Sequence, residues 1–307
     1  MNKGFTRRHA IRLMGCTGLS LLSQPVFPFL NDKAMLKRPI PSSGEMLPVT
    51  GVGTWIQFDV NRSDYKPLQE VLTRMSEHGG KVIDSSPMYG RSETVIGDLT
   101  TTLNNGDRYF YATKVWTTGK KDGISQMESS MAKMKRKSID LMQVHNLVDW
   151  QTHLQTLKDW KEQGRIRYIG ITHYTDSAHN NLEKIISSEK LDFVQFNYSI
   201  RGRHAEKRLL SAARDHGTAV IINQPFESGA LFNAVAGKKL PAWATELHIE
   251  NWAQYFLKYL LSHPAVNCVI PGTSDPVHVV QNMQAAYGRL PEENERKKMV
   301  DYFERLS

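Results

Sequence analysis

The sequence predicts a single closed (β/α)8 barrel, because strand-like and helix-like segments alternate along almost its whole length. Most of the strand-like segments are short, continuous apolar runs, as is typical of strands covered on both faces. Eight such units spread over about 260 residues fit one barrel. The predicted strands are residues 51–54, 81–84, 109–114, 140–145, 167–172, 192–197, 218–222 and 267–270.

A small hairpin is predicted before the first barrel strand. Met35–Ile40 and Met46–Thr50 are strand-like, and they flank a segment rich in turn residues, Pro41-Ser-Ser-Gly-Glu. We therefore assign residues 35–307 to the barrel domain and residues 1–34 to a segment outside it.

The predicted helices follow apolar residues spaced three or four apart. The first, Tyr65–His78, ends at Gly79-Gly80, a common helix stop. Similar spacing occurs around Met127–Met134, Leu154–Trp160 and Leu182–Ile186, and further helices are predicted near 204–216, 247–262 and 276–287. Pro291 is expected to open the last helix. The longest connection, Phe226–Glu246, is expected to lie over the mouth of the barrel.

An open, doubly wound sheet is the alternative fold for such an alternation. The form of that fold that binds dinucleotides carries Gly-x-Gly-x-x-Gly after its first strand. No such motif follows residues 51–54, so the closed barrel is favoured.

The N-terminal segment is basic and resembles an export signal. The formal net charge of the chain is +8, and Lys3, Arg7, Arg8 and Arg12 lie in a stretch of 30 residues without an acid. Arg7-Arg8 before a modestly apolar stretch is similar to a twin-arginine signal. We therefore expect recognition by the twin-arginine export machinery and a periplasmic location. A basic arm on a cytoplasmic protein is the alternative.

Other roles of the charge and of the apolar stretch are disfavoured. Beyond the N-terminal segment no long basic run occurs, so no nucleic-acid partner is expected. The apolar stretch is too short for a stable membrane span. Cys16 lies within it, in a weak match to a lipidation motif. Cys268, the other cysteine, lies in an apolar run and is expected to be a small core residue without a disulfide partner in the barrel.

Four ionisable residues lie at or just after the ends of three successive predicted strands. Asp84 ends the second strand and Tyr89 lies in the loop after it, while Lys114 ends the third and His145 ends the fourth. In a parallel barrel the carboxyl ends of the strands share one face, where catalysis occurs. Neighbouring strands lie about 4.8 Å apart, so these side chains are expected to converge.

Together the four residues suit the reduction of a carbonyl group. A nearby ammonium, Lys114, is expected to lower the pKa of the Tyr89 phenol, and Asp84 to keep that ammonium charged. Tyr89 is then a general acid for a carbonyl oxygen. Neutral His145 can donate a hydrogen bond to the same oxygen. Each residue alone is more simply explained as a cap, a packing aromatic or an ion pair, and only the combination indicates catalysis.

From Met35 onwards the chain resembles the aldo/keto reductase family. The matching motifs are Gly51-Val-Gly-Thr-Trp, Asp84-Ser-Ser-Pro-Met-Tyr-Gly-Arg-Ser-Glu, Thr113-Lys, Asp140-Leu-Met-Gln-Val-His-Asn, Gly170-Ile-Thr-His, Gln195-Phe-Asn-Tyr and Ile270-Pro-Gly-Thr-Ser with Asn282. The resemblance implies the (β/α)8 (TIM barrel) fold. It also implies a catalytic tetrad of Asp84, Tyr89, Lys114 and His145, and a small-molecule carbonyl substrate.

The resemblance further implies a reduced nicotinamide dinucleotide, NADPH, with NADH as the alternative, and no metal. By motif, the residues on the nicotinamide side are Gly53, Thr54, Trp55, Asp84, Thr172, His173, Gln195, Pro225 and Phe226. Those on the phosphate and adenine side are Pro271, Gly272, Thr273, Ser274, His278, Gln281 and Asn282. The 2′-phosphate is expected at the loop after the eighth strand, on free backbone N–H groups of the following helix.

The chain departs from the family pattern at three places. Asn223-Gln-Pro-Phe stands where an aromatic residue often stacks on the nicotinamide, and His173 replaces a common Asn. Gly272 and His278 replace a common Lys and Arg. The substrate is expected to be an aldehyde, a ketone or a quinone, in an apolar pocket that includes Trp55, Met88, Trp116 and Trp150.

Two other functions fit part of the pattern. A lyase that forms a Schiff base would use Lys114 as a nucleophile, but Asp84 and Tyr89 would keep that amine charged. A nicotinamide-binding regulatory subunit would need no catalytic tetrad at all.

Overall fold

A computed structural model describes residues 34–306, and its centre is a barrel of eight parallel strands. Each strand pairs with its neighbours in chain order. After the hairpin strands β1 (Lys37–Pro39) and β2 (Met46–Pro48), the barrel strands are β3 (Val52–Gly53), β4 (Val82–Asp84), β5 (Phe110–Val115), β6 (Ile139–His145), β7 (Ile166–Thr172), β8 (Phe193–Asn197), β9 (Ala219–Asn223) and β10 (Val266–Val269). The predicted barrel and hairpin are confirmed.

The barrel closes where β10 meets β3. The N–H of Gly51 donates to the carbonyl oxygen of Val269 at 2.9 Å, and that of Gly53 to Pro271 at 3.3 Å. A Cβ at Gly53 would lie 2.8 Å from the carbonyl oxygen of Ile270. Gly53, assigned from its motif to the cofactor site, is therefore also required by the closure of the barrel.

Helices cover the outside of the barrel. They are α1 (Tyr65–Glu77), α2 (Ser92–Thr102), α3 (Lys120–Lys133), α4 (Trp150–Glu162), α5 (His179–Ser188), α6 (Leu209–Asp215), α7 (Ala230–Ala234), α8 (Trp252–Leu261), α9 (Pro276–Gln284) and α10 (Glu293–Glu304). No helix in residues 34–306 is long and apolar enough to cross a membrane.

Alternate residues of each barrel strand face opposite layers of the core. Outward-facing side chains such as Ile83, Val144 and Val194 pack under the helices. Inward-facing side chains such as Phe110 and Phe193 fill the barrel interior, where Cys268 is fully buried as expected.

The hairpin closes the amino-terminal end of the barrel. Ile40 and Leu47 join the inward-facing cluster. From β1 the Arg38 guanidinium donates hydrogen bonds to three carbonyl groups, those of Leu261, His263 and Val266. The opposite end of the barrel, where the strands finish, is thus the open one.

Several helices differ from the predicted ones, among them α2 and the last helix. Helix α2 was not predicted, because its sequence Ser-Glu-Thr-Val-Ile-Gly-Asp-Leu-Thr-Thr-Thr is rich in weak helix formers. The last helix begins at Glu293 and not at Pro291, because Glu292 is its N-cap and forms a capping box with Glu295.

Part of the Phe226–Glu246 connection packs against the outer helices, and its position over the mouth stays a prediction. Its aromatic residues pack sideways on α8 and α10. Phe232 lies 5.8 Å from Phe256 and Trp243 lies 6.1 Å from Tyr255, measured between ring centroids. Apolar residues of this connection thus extend the outer core, because packing on neighbouring helices removes their apolar surface from water.

Candidate active site

The carboxyl ends of β4, β5 and β6 bring Asp84, Lys114 and His145 to the open end of the barrel. All three are buried at inward-facing positions, and an apolar interior residue of the same strand precedes each by two or four positions. Because side chains alternate along a strand, the apolar interior is followed by a polar layer at the mouth. Tyr89 lies over this layer, with its ring centroid 5.1 Å from the Lys114 ammonium and 5.8 Å from that of His145. The four predicted catalytic residues are therefore brought together.

The ion pair between Asp84 and Lys114 is almost completely enclosed. The Lys114 Nζ lies 2.6 Å from Asp84 Oδ2, and the two side chains are 0% and 3% exposed. The same ammonium donates to the carbonyl oxygen of Ser85 at 2.7 Å. Burial on its own would lower the pKa of Lys114, but Asp84 and Tyr89 outweigh it and raise that pKa above its usual value. Lys114 is therefore a fixed positive charge at neutral pH.

Two glutamines complete the hydrogen bonds of the Asp84 carboxylate. Its Oδ1 accepts from Gln195 Nε2 at 2.9 Å and from Gln143 Nε2 at 3.1 Å. Gln195 was expected at the site and Gln143 was missed. Gln143 pairs in register with Gly170, where a Cβ would lie 3.3 Å from the Gln143 Cγ. The available signal was a polar residue two positions before His145, on the same face of a largely apolar strand.

The Tyr89 phenol is protonated at neutral pH. Burial raises the pKa of Tyr89 above its usual value, and the Lys114 ammonium offsets only part of this rise. The expectation that Lys114 leaves the phenol with a lowered pKa is therefore wrong for this site. The cost of removing a phenolate from water outweighs the attraction of one cation that is already paired with Asp84. A protonated phenol is the state that a proton donor needs.

His145 is neutral. Burial lowers the pKa of His145 to about 2, and the nearby charge of Lys114 acts in the same direction. Its Nδ1 lies 3.0 Å from the hydroxyl of Ser86, and its ring centroid is 6.4 Å from that of Trp116. An uncharged imidazole next to the phenol can orient a carbonyl oxygen by a hydrogen bond.

Residues expected around the nicotinamide ring divide into two buried threonines and two more exposed aromatic side chains. Thr54 and Thr172 are buried and support the ion-pair layer: Thr54 Oγ1 donates to the carbonyl oxygen of Asp84 at 3.0 Å, and Thr172 Oγ1 donates to Gln195 Oε1 at 3.1 Å. Trp55 is 50% exposed at the mouth. The His173 Nδ1 accepts from the N–H of Tyr174, and burial lowers the pKa of His173, which is therefore neutral.

The residues after β9 include Phe226, which belongs to an aromatic cluster with the outer helices. Phe226, next to Pro225, packs on Phe232 with 4.8 Å between ring centroids, within the outer aromatic cluster. A cleft of about 410 Å³ lies nearby, lined by polar side chains that the sequence did not single out, among them Ser199, Arg201 and Glu227. Glu227 is ion-paired with Arg201.

The loop after β10 differs from expectation at the start of α9. The N–H groups of Val277 and His278 are not free, because Asp275 Oδ1 accepts from both, at 2.7 and 3.3 Å. Thr273 Oγ1 accepts from the N–H of Asp275 and is buried, and Gly272 bridges to Gly53 across the barrel closure. Ser274 and His278 are exposed, Gln281 is half-buried and Asn282 is buried. A carboxylate therefore occupies the helix end that was expected to bind a phosphate.

Two further expectations concern the surroundings of the site. Met88 and Trp116 are partly exposed near it, but Trp150 packs against the outer core. Within residues 34–306 no group of three or more His, Cys, Asp or Glu side chains is placed to hold a metal ion. The export signal and Cys16 lie outside the described residues.

Comparisons with known proteins agree with this geometry. The family model described as the aldo/keto reductase family matches residues 50–297. The chain is 26% identical over 246 residues to the NADH-specific methylglyoxal reductase of Escherichia coli, covering 68% of this chain and 73% of the relative. It is 26% identical over 254 residues to the methylglyoxal reductase DkgA of Yersinia pestis, covering 81% and 87%.

Solved structures show the same fold. An aldo-keto reductase from Klebsiella pneumoniae in complex with NADPH superposes with a TM-score of 0.74 at 22% identity, covering 88% of this chain and 96% of that one. At that identity the likeness concerns the fold.

Proposed function

Because the chain belongs to the aldo/keto reductase family, we propose that it reduces a small aldehyde or ketone to an alcohol with a nicotinamide dinucleotide as the hydride donor. The observation that carries this proposal is the enclosed Asp84–Lys114 pair beneath the Tyr89 phenol. In this arrangement a protonated phenol lies beside a permanent cation, and proton transfer to a carbonyl oxygen requires that combination.

The four residues have separate roles in this proposal. His145 donates a hydrogen bond that orients the carbonyl oxygen, and Tyr89 gives that oxygen its proton. The Lys114 charge then stabilises the phenolate that Tyr89 becomes, and Asp84 holds Lys114 in place and charged. The bound dinucleotide supplies the hydride for the carbonyl carbon.

Several described residues offer polar groups to such a dinucleotide. Thr172, His173 and Gln195 place polar groups beside the tetrad, and the polar cleft near β8 and β9 has room for further polar groups of the ligand. At the far end, Gly272, Ser274 and Gln281 are accessible to an adenosine. The Asp275 carboxylate at the start of α9 opposes a 2′-phosphate by charge repulsion.

Relatives support a small carbonyl substrate. Two of them are named as methylglyoxal reductases, one of these NADH-specific, whereas the Klebsiella pneumoniae structure contains NADPH. We propose NADPH as the cofactor, bound more weakly than it would be without Asp275, and NADH as a competent alternative. The raised pKa of Lys114 disfavours the Schiff-base lyase, since that reaction needs a neutral amine.

The proposal for Tyr89 predicts that Tyr89→Phe lowers kcat for carbonyl reduction by at least about a hundredfold, because only the transferable proton is lost. The dissociation constant for the dinucleotide should stay within about twofold of the wild-type value, since the ring remains. Turnover is followed by cofactor oxidation over a panel of aldehydes, ketones and quinones, with both NADPH and NADH.

Tyr65→Phe is the matched control, because it removes a phenol hydroxyl that bonds Asp98 outside the site. It should leave kcat unchanged. A Tyr89→Phe enzyme that keeps more than a tenth of wild-type turnover would show that Tyr89 is not the proton donor.

The Asp275 cap predicts a change in cofactor preference. Asn is as good an N-cap as Asp, so Asp275→Asn removes the charge and keeps the helix start. NADPH should then bind roughly three- to tenfold more tightly, because one repulsion of a surface charge is removed, whereas NADH should be unaffected. Dissociation constants are measured by quenching of tryptophan fluorescence.

The control is Glu292→Gln, which neutralises the N-cap carboxylate of α10. If Asp275→Asn changes the affinities for NADPH and NADH equally, Asp275 does not lie near the 2′-phosphate.

We also propose that residues 1–34 direct export through the twin-arginine route, which carries folded proteins and would let the dinucleotide bind beforehand. Support comes from the Arg7-Arg8 pair and the apolar stretch behind it. Replacing both arginines by lysine should keep the charge and hold the protein in the cytoplasm, as judged by cell fractionation. Wild-type protein found only in the cytoplasm would contradict export and leave the enzymatic proposal untouched.

A further inference from the structure

We infer that Ser86 is a positioning residue that fixes the tautomer of His145, with the ring proton on Nε2, where it can reach a substrate oxygen. The role of this tautomer in catalysis rests on the proposed function. The evidence for the tautomer itself is a set of hydrogen bonds around one buried hydroxyl. The Ser86 Oγ lies 3.0 Å from His145 Nδ1, Ser86 is fully buried, and His145 is 6% exposed.

The donors and acceptors at Ser86 allow one arrangement in which every proton has a partner. The N–H of Met88 donates to Ser86 Oγ at 3.4 Å, so this oxygen already acts as an acceptor. Within residues 34–306 the only acceptor beside the Ser86 hydroxyl proton is His145 Nδ1. If Nδ1 carried the ring proton, the hydroxyl proton would be enclosed without an acceptor. Leaving such a donor unpaired disfavours that tautomer by roughly tenfold to a hundredfold.

The Nε2 of His145 is then the donor, and it remains available. It has no hydrogen-bond partner in the described part of the chain, and it is not among the enclosed polar atoms that lack one. A neutral imidazole with its proton on Nε2 can donate to a carbonyl oxygen, whereas the other tautomer would present a lone pair to that oxygen and repel it.

Ser86 also fixes the position of the proton donor. Its carbonyl oxygen accepts the N–H of Tyr89 at 3.0 Å, and Pro87 is the second residue of the turn between them. One residue therefore holds Tyr89 through its main chain and His145 through its side chain. The two groups that share a carbonyl oxygen in the proposed reaction are thus aligned by the same short turn.

The test is the tautomer itself, observed on protein labelled with nitrogen-15 histidine at neutral pH. The His145 resonances are assigned by their loss in His145→Asn. In the wild type, Nδ1 should have the shift of an unprotonated ring nitrogen and Nε2 that of a protonated one. In Ser86→Ala, both shifts should move towards the average of the two tautomers, because the hydroxyl no longer selects one of them.

Kinetics provide a second readout. Ser86→Ala should lower kcat by about twofold, since only about half of the enzyme then presents the donor. The dissociation constant of the dinucleotide should not change. The matched control is Thr218→Val, which removes a buried hydroxyl that bonds the carbonyl oxygen of Leu191 at the start of β9. It should change neither the shifts of His145 nor kcat.

Several results would overturn the inference. They are a wild-type His145 with its proton on Nδ1, a wild-type His145 that is an imidazolium at neutral pH, and a Ser86→Ala protein whose His145 shifts equal those of the wild type. A wild type that reduces no carbonyl would refute the proposed function, but the shifts would still decide the role of Ser86.

Discussion

The enclosed ion pair between Asp84 and Lys114 is the constraint on which the site depends. Two opposite charges removed from water are tolerated only when each is paired and its remaining hydrogen-bonding capacity is satisfied. Here the carboxylate accepts from Lys114, Gln143 and Gln195, and the ammonium also donates to the carbonyl oxygen of Ser85. Three consecutive strands, β4, β5 and β6, and the more distant β8 therefore meet at one carboxylate. Breaking either charge would disturb the whole polar layer.

Burial sets the protonation states above this layer. It lowers the pKa of His145, and the fixed charge of the Lys114 ammonium acts in the same direction. Tyr89 keeps its proton because burial outweighs the attraction of a cation whose charge is already balanced. The resting site thus holds a protonated phenol, a neutral imidazole and a charged amine. These states suit proton donation to a substrate oxygen and do not suit attack by the amine.

The sequence was sufficient for the strands and for the convergence of Asp84, Tyr89, Lys114 and His145. Apolar runs form the barrel strands, and the last inward-facing residues of the strands and the loops that follow them reach the mouth. The sequence was insufficient where tertiary context decides. The direction of the Tyr89 pKa shift depends on burial, which no spacing reveals. The roles of Gln143 and Ser86 depend on partners from other strands, and the blocked start of α9 depends on the side-chain rotamer of Asp275.

The most direct test of this account is the pH dependence of kcat for carbonyl reduction at saturating cofactor and substrate. With a phenol of raised pKa as the acid and a histidine that stays neutral, kcat should be level from about pH 5 to about pH 9. It should fall only at higher pH, as Tyr89 loses its proton. Two results would contradict the account. One is an inflection at about pH 6.5, where an unperturbed histidine titrates, and the other is a rise of kcat towards alkaline pH, as a nucleophilic amine would give.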